Sequence, residues 1–148
     1  MGKEETFDFH IKQTWHAISR MYNQMALQEG ITTSMGYVLI NINSKEGTAA
    51  TKIAPLMGLE SRSLTRVLKS LEEKGLIKRV PDLKDKRSVK VYLTKEGKDK
   101  RSTAIKTIKD FNRQIEETLN SKEIECFYST FEKINQVIYQ LQNRINQR

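Results

Sequence analysis

Apolar residues recur every three or four positions along most of this chain, and the breaks in that rhythm mark its elements. Ile11, Trp15, Ile18, Tyr22 and Met25 form one face of an amphipathic helix over residues 8–28, which Gly30 ends. Residues 33–43 hold Met35, Tyr37, Val38, Leu39, Ile40 and Ile42, apolar nearly all round, and so predict a buried central helix. Lys45, Glu46 and Gly47 make a turn. A short helix is expected next, capped by Thr48 or Thr51 and ended at Gly58; Pro55 removes a backbone donor inside it and shortens or distorts it. Leu64, Val67, Leu68 and Leu71 then mark a helix over 61–74. At about 100° per residue its opposite face carries Arg62, Arg66, Lys69 and Glu73, and Gly75 follows as the stop.

The period changes after Gly75. Residues 76–80 and 89–93 alternate as strands, with Val89, Val91 and Leu93 on one face, Lys90 and Tyr92 on the other, and Pro81 to Arg87 as the loop. Helical spacing returns over 95–119 with Ala104, Ile108, Phe111, Ile115 and Leu119. Asn120 and Glu123 then fit a capping box for a last helix. That helix carries Ile124, Phe127, Phe131, Ile134, Ile138, Leu141 and Ile145, a heptad seam. The expected fold is mainly α with a small β-hairpin wing: a winged helix-turn-helix flanked by N- and C-terminal dimerisation helices. A seam this regular packs on another helix, in the same chain or in a partner. With the apolar face of the first helix also needing cover, a homodimer built from both termini is expected, the alternative being an intramolecular bundle.

Length and composition narrow the class. At 148 residues the chain fits a single domain, with a winged helix-turn-helix lobe over 31–94 and dimerisation helices over 7–29 and 95–148. Only 37% is hydrophobic while 30% is charged, which suits a small helical protein that completes its core by pairing. The net charge of +8 favours a polyanionic partner. One cysteine, Cys126, excludes an intramolecular disulfide and fits a reducing cytoplasm. No stretch approaches the roughly 20 apolar residues of a membrane span. The N-terminus lacks a hydrophobic signal core, although Gly2 to Thr6 match the loose myristoylation pattern. His10 and His16 share no helix face and make no zinc site; no metal or other cofactor is expected. No P-loop, nucleotide-binding glycine motif or nucleophile elbow is present, so an enzyme is not expected.

The candidate chemistry is nucleic-acid binding. Ser61, Arg62, Ser63, Thr65, Arg66 and Lys69 are small or cationic. They make a helix surface that can approach a groove, with Arg suited to guanine and Ser or Thr to phosphates and base edges. From Lys78 to Lys90 the net charge is +4, half the excess of the whole chain. Lys84, Asp85, Lys86 and Arg87 lie at the hairpin tip, where an arginine can enter a narrow minor groove and Asp85 can orient it. The readings left open are a sequence-specific regulator, a non-specific or architectural binder of nucleic acid, and a protein-interaction module.

Nearly the whole chain, most sharply from Ile53 to Gly97, resembles the MarR family of bacterial transcription regulators. The resemblance is carried by the helix-turn-helix run from Ile53 to Arg79 and by Asp85, Arg87, Ser88, Val89, Val91, Leu93, Thr94 and Gly97 at and after the wing. It implies a homodimer held by the first and last two helices, a recognition helix at 61–74, and Arg87 in the minor groove of double-stranded DNA, paired with Asp85. Pro55 and Glu60 depart from the family's pattern, Glu60 being a weak helix cap. The resemblance also leaves room for a small-molecule effector, aromatic or anionic, lined by Trp15, His16, Arg20, Tyr22 and Tyr37. Cys126 reads as a structural thiol. The chain is thus expected to be an effector-responsive repressor that binds a pseudo-palindromic operator.

Overall fold

The computed structural model describes residues 2, 5–58, 60–83 and 88–147. The elements are α1 (Phe7–Gln28), α2 (Thr33–Ile40), β1 (Thr48–Ala49), α3 (Ala50–Met57), α4 (Ser61–Glu73), β2 (Ile77–Pro81), β3 (Val89–Leu93), α5 (Lys95–Thr118) and α6 (Ser121–Asn146). The chain packs as two compact units, Met1–Lys106 and Thr107–Arg148.

The buried core lies in the first unit. Val38, Leu39, Ile42, Ile53, Leu71, Ile77 and Val91 are sealed from solvent, and Leu64 and Leu68 join them. Removing one such side chain from water contributes about 1.5–3 kcal/mol, so this cluster fixes how α2, α3, α4 and the sheet meet. The α2 helix stops sooner than its apolar run suggests. Asn41 turns its side-chain amide back to donate to the Tyr37 carbonyl (2.9 Å), and Ile42 is buried just beyond the helix end.

A third strand corrects the expected capping of α3. The Asn43 carboxamide oxygen accepts from the Lys45 and Glu46 amides, and the Thr48 hydroxyl accepts from the Asn43 amide. This turn delivers Thr48 and Ala49 to pair with Val91 and Lys90, so Thr48 is a strand residue. Thr51 lies inside α3, whose N-cap position is Ala49 with no side-chain cap. Two paired residues are too few to leave an alternating pattern. The sheet is antiparallel in the order β1-β3-β2, with register from Ile77↔Leu93 to Pro81↔Val89. Pro55 is accommodated within the eight residues of α3.

The junction after α4 is closed from both sides. Gly75 takes φ of 70°, which lets its amide reach the Glu72 carbonyl (2.9 Å) and the Leu76 amide reach Leu71 (2.9 Å). This double closure ends the helix and turns Leu76 into the core beside Leu71. Where the hairpin returns to its base, the Thr94 amide donates to the Leu76 carbonyl (3.1 Å), and its hydroxyl donates to the Gly75 carbonyl (2.7 Å). The same hydroxyl oxygen accepts from the Gly97 amide (3.0 Å), so Thr94 also starts α5. Gly97 is buried so close to Leu76 that an added Cβ would overlap the Leu76 carbonyl oxygen. Further along α5, Lys100 pairs with Glu29 (2.8 Å). These contacts place the first turns of α5 in the first unit, and the boundary between the two units falls inside α5.

In the second unit, Asn120 and Glu123 form the expected reciprocal cap of α6 (2.8 and 3.0 Å). Neither α6 nor α1 has a buried residue among those described. Phe127, Ile138, Leu141 and Ile145 of the heptad seam are all exposed.

Gly97→Ala is expected to destabilise the fold by about 1–3 kcal/mol or more, because the neighbour is a backbone carbonyl that cannot rotate away. Gly36→Ala should be neutral or stabilising by up to about 1 kcal/mol, since its Cβ would meet only ordinary contacts inside a helix. Urea titrations of both variants check the pair, and equal stabilities would contradict it.

Candidate nucleic-acid interface

The burial of α4 on one side defines the surface on the other. Leu64, Leu68 and Leu71 are buried, while Ser61, Arg62, Ser63, Thr65, Arg66 and Lys69 are all exposed. At the N-terminus Glu60 supplies no side-chain cap. The positive end of the helix is therefore open beside Ser61, Arg62 and Ser63, where it favours an anion. Thr65 donates its hydroxyl hydrogen to the Ser61 carbonyl (2.8 Å), which leaves the oxygen as an acceptor and the methyl as an apolar contact. Lys69 lies 3.8 Å from the Glu73 carboxylate, and both are well exposed. A pair of this kind contributes at most about 1 kcal/mol, so the ammonium can be exchanged to a phosphate at little cost.

The hairpin beside α4 is held by an ion pair that the charge count did not reveal. Arg79 donates through Nε (2.9 Å) and Nη2 (2.5 Å) to one Glu72 oxygen, and its backbone amide donates to the other (3.1 Å). The hydrogen bonds and charge of Arg79 hold the Glu72 carboxyl below the usual carboxylate range. Arg79 therefore fixes β2 to the last turn of α4 and is not a free wing cation. The signal in the sequence was two opposite charges seven residues apart across Gly75. Lys78, exposed, and Lys90, whose ammonium sits 5.5 Å from the Tyr92 ring, occupy the outer sheet face. The loop closes at its base through the Asp82 amide and the Ser88 carbonyl (2.9 Å). Lys84, Asp85, Lys86 and Arg87 lie outside the described residues, so their pairing stands as a sequence expectation.

Of the five effector-pocket candidates, Tyr22 and Tyr37 lie together, and Trp15, His16 and Arg20 are exposed. Tyr22 and Tyr37 are half-buried neighbours, and burial, with Tyr37 next, raises the Tyr22 phenol above its ordinary value. Trp15 shares the Tyr22 side of α1 but is 56% exposed. His16 and Arg20 are exposed, about 100° and 140° round the helix from Trp15. Cys126 is exposed on α6, 4.0 Å from the Thr130 hydroxyl. Among the described residues, no group of three or more His, Cys, Asp or Glu is placed to hold a metal ion, and no helix is long and apolar enough to cross a membrane.

Two helices meeting on a shared core, the second with a free cationic face and tied to a β-hairpin, form a winged helix-turn-helix. The MarR family model matches residues 31–89. The chain is 30% identical to the HTH-type transcriptional regulator SarZ of Staphylococcus saprophyticus, over 66% of this chain and 70% of that protein. It is 31% identical to the HTH-type transcriptional regulator TtmR of Methylorubrum extorquens, over 61% of this chain but only 46% of that relative. Its fold matches the S. aureus MepR–DNA complex with a TM-score of 0.82 at 21% identity, over 89% of this chain and 98% of that one. The chain belongs to the MarR family, whose members are transcription regulators and not enzymes.

Because the Glu72 carboxyl is held low, its clamp on Arg79 contributes stability that is complete above the ordinary carboxylate value of 4.5 and is lost as pH falls through the folded value. Glu72→Gln should be less stable than wild type at neutral pH, and the gap should close in acid. Melting temperatures measured from pH 7 down to about pH 3 check this; a gap independent of pH would rule the clamp out.

Proposed function

We propose that this protein is a homodimeric repressor that binds a pseudo-palindromic operator and is released by a small molecule. The carrying observation is the exposed Ser61–Lys69 face of α4, backed by buried leucines and tied through Glu72 and Arg79 to a basic hairpin. Phosphates dock on the cations, Arg62, Arg66 and Thr65 read base edges in the major groove, and Arg87 anchors the wing in the minor groove. The exposed apolar seams of α1 and α6 support pairing of two copies. Two recognition helices would then read half-sites about 34 Å apart. The neighbouring Tyr22 and Tyr37 support an aromatic ligand at this part of α1 and α2.

Arg87→Ala should weaken binding to a selected genomic fragment at least tenfold and leave the dimer intact, as read by gel shift and sedimentation. The wild-type log–log salt slope should be steep, at roughly 0.9 per neutralised phosphate. A specificity ratio near one against random duplex would instead support an architectural binder. Ile138→Asp, in the uncovered seam of α6, should shift the dimer to monomer in sedimentation with the helical content retained; an unshifted dimer would place the interface elsewhere.

A further inference from the structure

The distal end of the hairpin is apolar in a way that charge alone does not explain. Leu83 is 100% exposed, so no other part of the described chain covers it. Val80 is 45% exposed and Val89 36%, and Pro81 is exposed as well. Scattered surface leucines need no explanation, but these residues are grouped. Pro81 and Val89 are cross-strand partners on one sheet face; Val80 pairs with Lys90 on the other. The hairpin end therefore carries apolar groups on both faces and at its tip. A patch that docks on a flat partner needs them on one face only. Apolar groups on both faces and at the tip suit an end-on approach, in which the tip enters between two walls and the flanking residues rest at their rims.

The charges nearby select which walls. Lys78 and Lys90 stand on the outer face of the same hairpin, and the sequence continues from Leu83 into Lys84 and Lys86. A cationic surround disfavours an apolar protein groove and favours a polyanion. The minor groove of duplex DNA, about 6 Å wide, admits a side chain but not a two-stranded ribbon. Its walls are the carbon-rich faces of deoxyribose, with phosphates at the rims. We propose that Leu83 is an apolar anchor that enters the DNA minor groove, with Val80 and Val89 against the sugars at its rim. Leucine is among the side chains that wedge into this groove and open a base step. Leu83 then favours sites with A·T pairs and a flexible pyrimidine–purine step under the wing, where the groove floor has no amino group.

The proposal rests on the wing being a minor-groove element, and the experiment separates the two. The probe is a duplex selected by the wild-type chain from a random-sequence library. Leu83→Ala should lose roughly five- to twentyfold in affinity, the size expected when most of one leucine side chain no longer leaves water. The ratio should be the same at about 50 and 200 mM salt, because no counterion is released by an apolar contact. Leu83→Met should bind within about twofold of wild type. Replacing adenine under the wing with 2,6-diaminopurine, which adds a minor-groove amino group, should weaken wild type and close its gap to Leu83→Ala. Wild-type affinity in Leu83→Ala with a large loss in Arg87→Ala would overturn the Leu83 role and leave the wing reading intact. Wild-type affinity in both would overturn both. A gap that survives diaminopurine unchanged would move Leu83 out of the minor groove and overturn the proposal.

Discussion

Leu64, Leu68 and Leu71 hold α4 from one side, and every feature of the binding surface follows from that grip. A helix seated on three buried leucines has a fixed rotation about its axis, because turning it by one residue would expose an apolar side chain and bury a cation. The cationic ridge of Arg62, Arg66 and Lys69 is then pointed outward by the core, with the exposed Lys69–Glu73 pair adding little. The helix also has a fixed end. Gly75 reverses the chain, Leu76 returns to the core, and Arg79 reaches back to Glu72. The hairpin consequently leaves α4 at a set angle, and the spacing between ridge and wing is a property of the core.

Burial is distributed unevenly. The first unit contains the whole sealed core, while α1 and α6 bury no described residue despite strong apolar stripes. A chain of this composition gains little by leaving Phe127, Ile138, Leu141 and Ile145 in water. Pairing of two copies would remove that surface and at the same time set the distance between two readers. In that reading, stability and recognition geometry share one interface. A ligand bound at that part of the molecule would then act on DNA affinity at a distance, through geometry.

Most elements were legible because their side-chain period was long and unbroken. The α4 face, the glycine stops and the Asn120–Glu123 cap follow from local rules, and the structure places them where the pattern did. The misses were of two kinds. β1 is two residues long, too short for alternation, and depends on a turn built by Asn43 and Thr48. The Glu72–Arg79 clamp joins residues from different elements, so a charge count along the hairpin treated Arg79 as free. The apolar character of Leu83 was visible in the sequence, but its full exposure was not.

The pinning of the hairpin at Thr94 has a consequence for how such a protein can change over generations. One hydroxyl and one amide tie residue 94 to Gly75 and Leu76, so the hairpin begins and ends at the same place in the core. Anything inserted, deleted or rewritten between Asp82 and Ser88, beyond the paired strands, alters only a loop whose closure cost grows slowly with length. The tip is thus insulated from the fold. Copies of the gene are free to try new hairpin tips while α4 and its cationic face stay in register.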